Sequence, residues 1–230
     1  MKALIGMDNI AIDYLGIERV LQRGTGTILE QRNDALLVRD SVSGAYLLAC
    51  GDVGLGISLL DKHISRECNL LMVSNVLLGR RAYEKYGFAE KLECYQVAYY
   101  GEAPAIDTRI SVRTATKSDL ALLVETYHLI SPEEMEIVIS REALLLGYVQ
   151  NQLVGFIGEH LEGSMGLLYV FPEFRRQGFA TELEKIYIAK TMEQGYVPFG
   201  QVEKNNKESL ALQKKLGMTQ SQNLICWMWK

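Results

Sequence analysis

The sequence predicts an α+β protein made of two tandem domains, each with a mixed, mostly antiparallel sheet flanked by helices. Residues 109–230 show a complete order of elements, strand, helix, helix, three strands, helix, strand, helix, strand. Residues 1–105 repeat much of that order. We therefore predict domains over residues 1–105 and 109–230, with a linker near residues 101–108.

Two short glycine signatures support the tandem arrangement. Gly54-Leu55-Gly56 corresponds to Gly178-Phe179-Ala180, at an offset of 124 residues. Tyr86-Gly87-Phe88 corresponds to Leu216-Gly217-Met218, at an offset of 130 residues. The alternative is one long domain in which the glycines recur by coincidence.

In the first half, residues 8–23 are expected to be helical. Residues 35–40 and 45–50 are two apolar runs around the turn Ser41–Gly44, which predicts a hairpin. A helix over 55–65, a strand over 69–75, a helix over 77–86 and a strand over 94–100 follow.

In the second half, Thr116 and Asp119 form the pattern of a capping box at a helix start. Ser131-Pro132 marks a second start, with serine as N-cap and proline in the first turn. Residues 144–171 predict three antiparallel strands, separated by turns at 150–152 and 162–163. A helix from Gly178 to Met192, a strand over 198–203, a helix over 207–216 and a strand over 224–229 complete the order.

Composition and charge exclude several classes of protein. The chain has 230 residues, 48% of them hydrophobic, and a formal charge of −4, so no excess of positive charge favours nucleic acid or an anionic membrane. Cys50, Cys68, Cys94 and Cys226 lack metal-ligand spacing, and we expect reduced, mostly buried thiols and no metal site. No signal peptide or spanning apolar run is recognisable, so a soluble, cytoplasmic protein is expected.

The stretch from Leu168 to Ala180 carries the clearest chemistry. A strand passes through a loop containing Arg175, Arg176 and Gly178 into a helix. Free amides and the positive end of the helix dipole favour an anion at such a start, and small residues let a diphosphate approach the backbone. The two arginines add charge-assisted hydrogen bonds. A tight strand-to-helix connection without a ligand is the alternative.

A second segment, from Asn206 to Met218, strengthens the first. Together the segments resemble the GNAT superfamily of acyl-CoA-dependent N-acetyltransferases, with Arg175–Ala180 in the place of its pyrophosphate motif. The amino-acid sequence from Glu162 to Ala180 is similar to that of the glycine N-acyltransferase-like branch. The resemblance covers residues 109–230 and implies tandem GNAT-like domains, the first of them degenerate. The cofactor-binding residues that it implies are Leu168, Tyr169, Val170, Arg175, Arg176, Gln177, Gly178, Phe179, Ala180, Asn206 and Ser209.

The resemblance also implies a reaction. Acetyl-CoA is the expected cosubstrate, and a primary amine of a small molecule or peptide would attack its thioester directly in a ternary complex. The branch places a carboxylate base near Ser164, which makes Glu162 and Glu159 the leading candidates, followed by His160. The tyrosine that serves as acid in many members is replaced by Gln213, so the acid is unassigned.

The first half has a different loop. Gly51 stands where Arg175 stands in the second half, and Asp52 would repel an anion, so this half is not expected to bind CoA well. It could instead cover a sheet edge, complete the acceptor cleft or mediate formation of a homodimer. Two rival interpretations of the whole chain remain open: a non-catalytic acyl-CoA-binding or sensing protein, and a scaffold.

Overall fold

The computed structural model describes residues 12–64, 68–107 and 109–230. The elements of the described part before residue 108 are α1 (Leu15–Gln22), β1 (Gly26–Arg32), β2 (Ala35–Asp40), β3 (Tyr46–Cys50), α2 (Val53–His63), β4 (Leu70–Val73), α3 (Val76–Tyr86) and β5 (Glu90–Ala98). Helix starts follow the side-chain chemistry: Asp52 caps α2, and Asn75 caps α3 by accepting hydrogen bonds from the amides of Leu77 and Leu78.

The elements after residue 108 are β6 (Ser111–Thr114), α4 (Leu120–Thr126), α5 (Pro132–Ser140), β7 (Leu144–Val149), β8 (Gln152–Glu159), β9 (Met165–Val170), α6 (Phe179–Glu193), β10 (Phe199–Glu203), α7 (Lys207–Lys215) and β11 (Thr219–Trp229). The capping box of Thr116 and Asp119 is formed, and Ser131 caps α5 by accepting from the amide of Glu134. None of the helices in these described ranges has the length and apolar character required to cross a membrane.

The chain forms two compact units that are not continuous in sequence. The first consists of the described residues within 1–98, 201–214 and 218–230, and the second of those within 99–200 and 215–217. The division passes through β10, whose first two residues belong to the second unit. The compact units therefore combine segments from both halves of the sequence. The domain boundary at residues 101–108 stays a prediction.

The first unit is a mixed sheet with helices on both faces. Its strands follow the order β1-β2-β3-β4-β11-β5, with β3 and β4 parallel and the other pairs antiparallel. Helix α1 packs on one face through Ile17 and Val20. Helices α2 and α3 pack on the other through Leu59, Leu60 and Leu78. The last strand of the chain is thus held between two strands of the first half.

The second unit repeats this arrangement. The order is β10-β9-β8-β7-β6, with β9 and β10 parallel and the remaining pairs antiparallel. Helices α4 and α5 cover one face, where Leu123, Met135 and Val138 pack on Phe156. Helix α6 covers the other face through Leu183 and Ile186.

The predicted α+β class and the mixed, mostly antiparallel sheets flanked by helices are confirmed. The three strands over 144–171 form as expected, and Gln150 and Asn151 take the positive φ angles of a two-residue hairpin turn. Residues 8–11 of the first predicted helix lie outside the described residues. Strand β1 was not predicted because it is an exposed edge strand without clear alternation, and β11 begins at residue 219 rather than 224.

The two glycine signatures differ in outcome. Gly87 and Gly217 both follow the end of a helix, with φ of 66° and 78°, as the repeat predicts. Gly54 and Gly178 do not occupy the same place. Gly178 is the N-cap of α6, whereas Gly54 lies inside α2, whose N-cap is Asp52. The match at these two loops was therefore wrong by two residues.

Candidate functional site

The loop between β9 and α6 leads into a helix whose first amides have no partner within the helix. Arg176 has φ of 62° and Gly178 has φ of 91°, so the chain turns twice through the left-handed region before the helix begins. No side chain of the described residues caps α6. The first hydrogen bond back to Gly178 comes from the amide of Glu182, at 3.2 Å. The amides of residues 179–181 precede that bond and have no acceptor within the helix.

The side chains of this loop lie around the end of β9. Arg175 donates from Nε to the carbonyl of Val170 at 3.0 Å, and its guanidinium lies 5.6 Å from the ring centre of Tyr169. Gln177 donates to the carbonyl of Glu173, at 3.1 Å. Arg175, Arg176, Gln177 and Gly178 are exposed, while Phe179 and Ala180 are half-buried. The predicted residues Leu168–Val170 and Arg175–Ala180 thus meet at one end of one strand.

A cavity of about 240 Å³ lies beside the start of α6. Gln177, Gly178 and Phe179 line it. Three cations, Arg109, Lys185 and Lys215, and two carboxylates, Asp107 and Glu182, also line it. Neither lysine was predicted from the sequence. The sequence could have indicated Lys185, because this residue lies on α6 within two turns of the predicted anion site.

Strand β9 carries a β-bulge close to the residue at which it pairs with β10. The register with β8 shifts between the pairs Gly158 with Gly166 and Phe156 with Tyr169, so two residues of β9 oppose one of β8. Leu167, at this bulge, has φ of 49°. Within the described residues, the parallel ladder with β10 consists of the pair Met165 and Gly200. Leu168–Val170 therefore extend past that ladder.

The start of α2 differs chemically from the start of α6. The carboxylate of Asp52 accepts a hydrogen bond from the amide of Leu55 at 2.7 Å. Asn75 donates to the carbonyl of Gly51 at 2.9 Å. One helix start is thus capped by the chain's own anion, and the other presents its amides.

The candidate acid-base residues lie at the opposite end of β9 from the arginine loop. Glu159 is paired with Met165, and Glu162 accepts a hydrogen bond from the hydroxyl of Ser164. Glu159 and Glu162 are each only 7% exposed. The side chain of His160 is 35% exposed, and its Nδ1 lies 3.8 Å from Oε1 of Glu134 on α5.

Asn206 and Ser209 belong to the first compact unit. The side-chain oxygen of Asn206 accepts from the amide of Ser209 at 3.0 Å, which fixes the first turn of α7. Gln213, at the position of the missing tyrosine, is buried. Asn206 therefore has a structural role as a helix cap.

Other predicted groups can be placed directly. All four cysteines are buried and free, as expected. Among the described residues, no group of three or more His, Cys, Asp or Glu side chains could hold a metal ion.

Comparison with known proteins gives the fold. The family model described as "FR47-like protein" matches residues 145–228. No curated protein matches the chain. A Drosophila protein of 14% identity has a TM-score of 0.69 and covers 100% of this chain and 93% of its own.

Two further solved structures have names that describe their superfamily. A GCN5-related N-acetyltransferase-like protein from Streptococcus suis has 12% identity and a TM-score of 0.59, over 100% of this chain and 96% of its own. A GCN5-related N-acetyltransferase from Sphaerobacter thermophilus has 18% identity and a TM-score of 0.53, over 93% and 84%. At these identities the likeness shows the fold alone.

Proposed function

Starting from the GNAT fold of this chain, we propose that it is an acyl-CoA-dependent N-acyltransferase that moves an acetyl group from acetyl-CoA to a primary amine. The observation that carries the proposal is the uncapped start of α6, with left-handed Arg176 and Gly178 presenting the amides of residues 179–181. A diphosphate placed there would accept from those amides and from Arg175 and Arg176. The fold supports membership of the superfamily, and the geometry of the loop supports an anion site.

The remaining cosubstrate contacts follow β9. Its six residues span about 17 Å from the carboxylate end to the arginine loop, using the rise of an extended strand. An extended pantetheine arm is of comparable length. It would pair with the backbone of Leu168, Tyr169 and Val170, and its thioester would lie near the bulge at Leu167. Asn206 and Ser209 are included on the strength of their motif.

The reaction requires little covalent chemistry from the protein. The amine nitrogen attacks the thioester carbon, and a backbone amide at the bulge of β9 stabilises the oxyanion. The candidates for the base are Glu162, Glu159 and His160, since all three lie shortly before β9 begins. The amine would be a small molecule or part of a peptide.

The start of α2 is proposed not to bind CoA. Asp52 already satisfies the first turn of this helix, and its negative charge would repel a diphosphate. One acetyl-CoA per chain is therefore expected.

Calorimetric titration of the full chain with acetyl-CoA tests the proposal. We expect one site per chain, and Arg175→Ala should weaken binding by about 1.5–3 kcal/mol, because one charge-assisted contact is lost. Arg141→Ala is the matched control, since Arg141 is an exposed arginine of the same unit at the end of α5. Absence of binding, or equal affinity of the two variants, would contradict the site.

Turnover separates an enzyme from a binding protein. Release of thiol from acetyl-CoA should be followed across a panel of amino acids, polyamines and aromatic amines. Tight binding without thiol release would favour the acyl-CoA-binding or sensing alternative.

A further inference from the structure

The imidazole of His160 rests on the backbone of β9. His160 follows β8 directly, and the tight turn fixes it: its amide donates to the carbonyl of Ser164 at 2.9 Å, and the amide of Gly163 donates to its carbonyl at 2.8 Å. A Cβ on Gly166 would lie 2.7 Å from Nε2 of His160. The absence of a side chain at Gly166 therefore leaves room for the ring.

The charges of three carboxylates from three segments act on this ring. They belong to Glu134 of α5, Glu159 of β8 and Glu162 of the turn. Burial opposes the charged form of the ring, but the Glu134 carboxylate, 3.8 Å from Nδ1, and the charges of Glu162 and Glu159 outweigh it. The pKa of His160 is consequently raised above its ordinary value.

His160 is more accessible than the two carboxylates nearest to it in sequence. A third of its side chain is exposed, whereas Glu159 and Glu162 are almost completely buried. The Ser164 hydroxyl already donates to Glu162. A substrate arriving beside the bulge of β9 would therefore meet the imidazole rather than either of these buried carboxylates.

We propose that His160 accepts, at Nε2, the proton that the acceptor ammonium loses before its nitrogen attacks the thioester. The inference rests on the proposed function. An N–H bond of the ammonium breaks as the Nε2–H bond forms. The amine lone pair then forms the C–N bond, the C–S bond breaks, and the thiolate takes the second proton that the nitrogen loses. His160 returns its proton to water, and Glu134 is a positioning residue that stabilises the imidazolium.

The test compares three variants of the full chain, with acetyl-CoA and the panel of primary amines. His160→Gln should reduce kcat/KM about 100-fold or more, as expected for loss of a general base, while acetyl-CoA affinity changes less than about twofold. The acidic limb of the pH profile should disappear. Glu134→Gln should keep that limb and move it to lower pH, because a charge that favours imidazolium has been removed.

Glu136→Gln is the matched control, since Glu136 lies on α5 and forms an exposed ion pair with Lys117. It should leave both kcat/KM and the acidic limb unchanged. A second readout needs no substrate: the ring protons of His160, followed by NMR, should titrate above about pH 6.5 in the wild type and at lower pH in Glu134→Gln.

The outcomes separate the two proposals. Wild-type turnover that survives in His160→Gln with the same acidic limb would overturn the role of His160, while leaving the acyltransferase proposal intact. A His160 ring that titrates at or below about pH 6.5 would also overturn it. Loss of Arg175-dependent acetyl-CoA binding from the wild type would remove the proposed function itself. Intact binding with no turnover on any amine of the panel would leave no proton transfer for His160 and would overturn its role.

Discussion

Gly79 of α3 packs directly on Cys226 of β11, so closely that a Cβ on the glycine would overlap the Cβ of the cysteine. The two residues come from the first and second halves of the chain but belong to one compact unit. The contact exists because β11 pairs with β4 and β5, which places the last strand under a helix of the first half.

Gly79→Ala is expected to destabilise the first unit by about 1–3 kcal/mol, because the added methyl overpacks a contact between helix and strand. Urea unfolding followed by circular dichroism would measure the loss. Gly16→Ala is the control: Gly16 is also buried in a helix, but its added methyl would only touch Met72, at 4.0 Å. Because alanine favours helix, that variant should be neutral or slightly stabilised. An equal loss in both variants would contradict the packing argument.

Glu93 of β5 should make stability depend on acid. Its carboxylate accepts from Arg80, with the Nε–Oε1 distance at 2.8 Å, and pairs with Lys204 at 2.5 Å. The Arg80 hydrogen bond, against the opposing effect of burial and with the help of Lys204, lowers the pKa of Glu93 to about 2. The folded state therefore favours the carboxylate, and this stabilisation is present above the ordinary pKa near 4.5.

Glu93→Gln should reduce the free energy of unfolding by about 2 kcal/mol at pH 7, since two cations lose a nearly buried partner. The difference from the wild type should shrink as the pH falls from 4.5 towards 2, because in this range the unfolded chain binds a proton at Glu93 that the folded carboxylate does not. Urea unfolding at pH 7 and pH 3 would measure both values. Glu84→Gln, an exposed change on α3, should show almost no difference at either pH. A pH-independent loss in Glu93→Gln would argue against the ion pairs.

Gly178 and Gly195 allow a test of the proposed diphosphate site within one helix. They lie at the two ends of α6, with φ of 91° and 80°, and a Cβ added to either glycine would enter open space. Alanine at either position should cost about 1–2 kcal/mol of stability through backbone strain. Acetyl-CoA affinity, measured by calorimetry, should fall about tenfold in Gly178→Ala only, since its strain alters the amides at the helix start. Equal affinities in the two variants would place the ligand elsewhere.

Several local structures could be predicted from residues that are adjacent in sequence. A capping box at Thr116 and Asp119, an N-cap at Ser131 and a two-residue turn at Gln150-Asn151 each need only a few adjacent residues. The loop from Arg175 to Gly178 belongs to this class in part. Glycine tolerates the left-handed φ of Gly178, whereas the residue type of Arg176 does not predict its φ of 62°.

Other parts could not be predicted because they depend on residues brought together by folding. The contact of His160 with Gly166 requires the turn after β8 and the bulge of β9, and its pairing with Glu134 also requires α5 to pack on that face. The repeat at Gly54 failed for a related reason. The two segments have glycine at corresponding positions in sequence, but α2 begins at its N-cap Asp52, which leaves Gly54 inside the helix.

The sequence by itself determined the α+β class and most of the elements, since these depend on periodicity and on side chains within a turn of one another. The tertiary structure decided which strands pair, placing β11 between β4 and β5. It also decided that Glu159 and Glu162 are buried while His160 reaches solvent. Burial and long-range pairing depend on which surfaces the whole chain removes from water, and no local pattern carries that information.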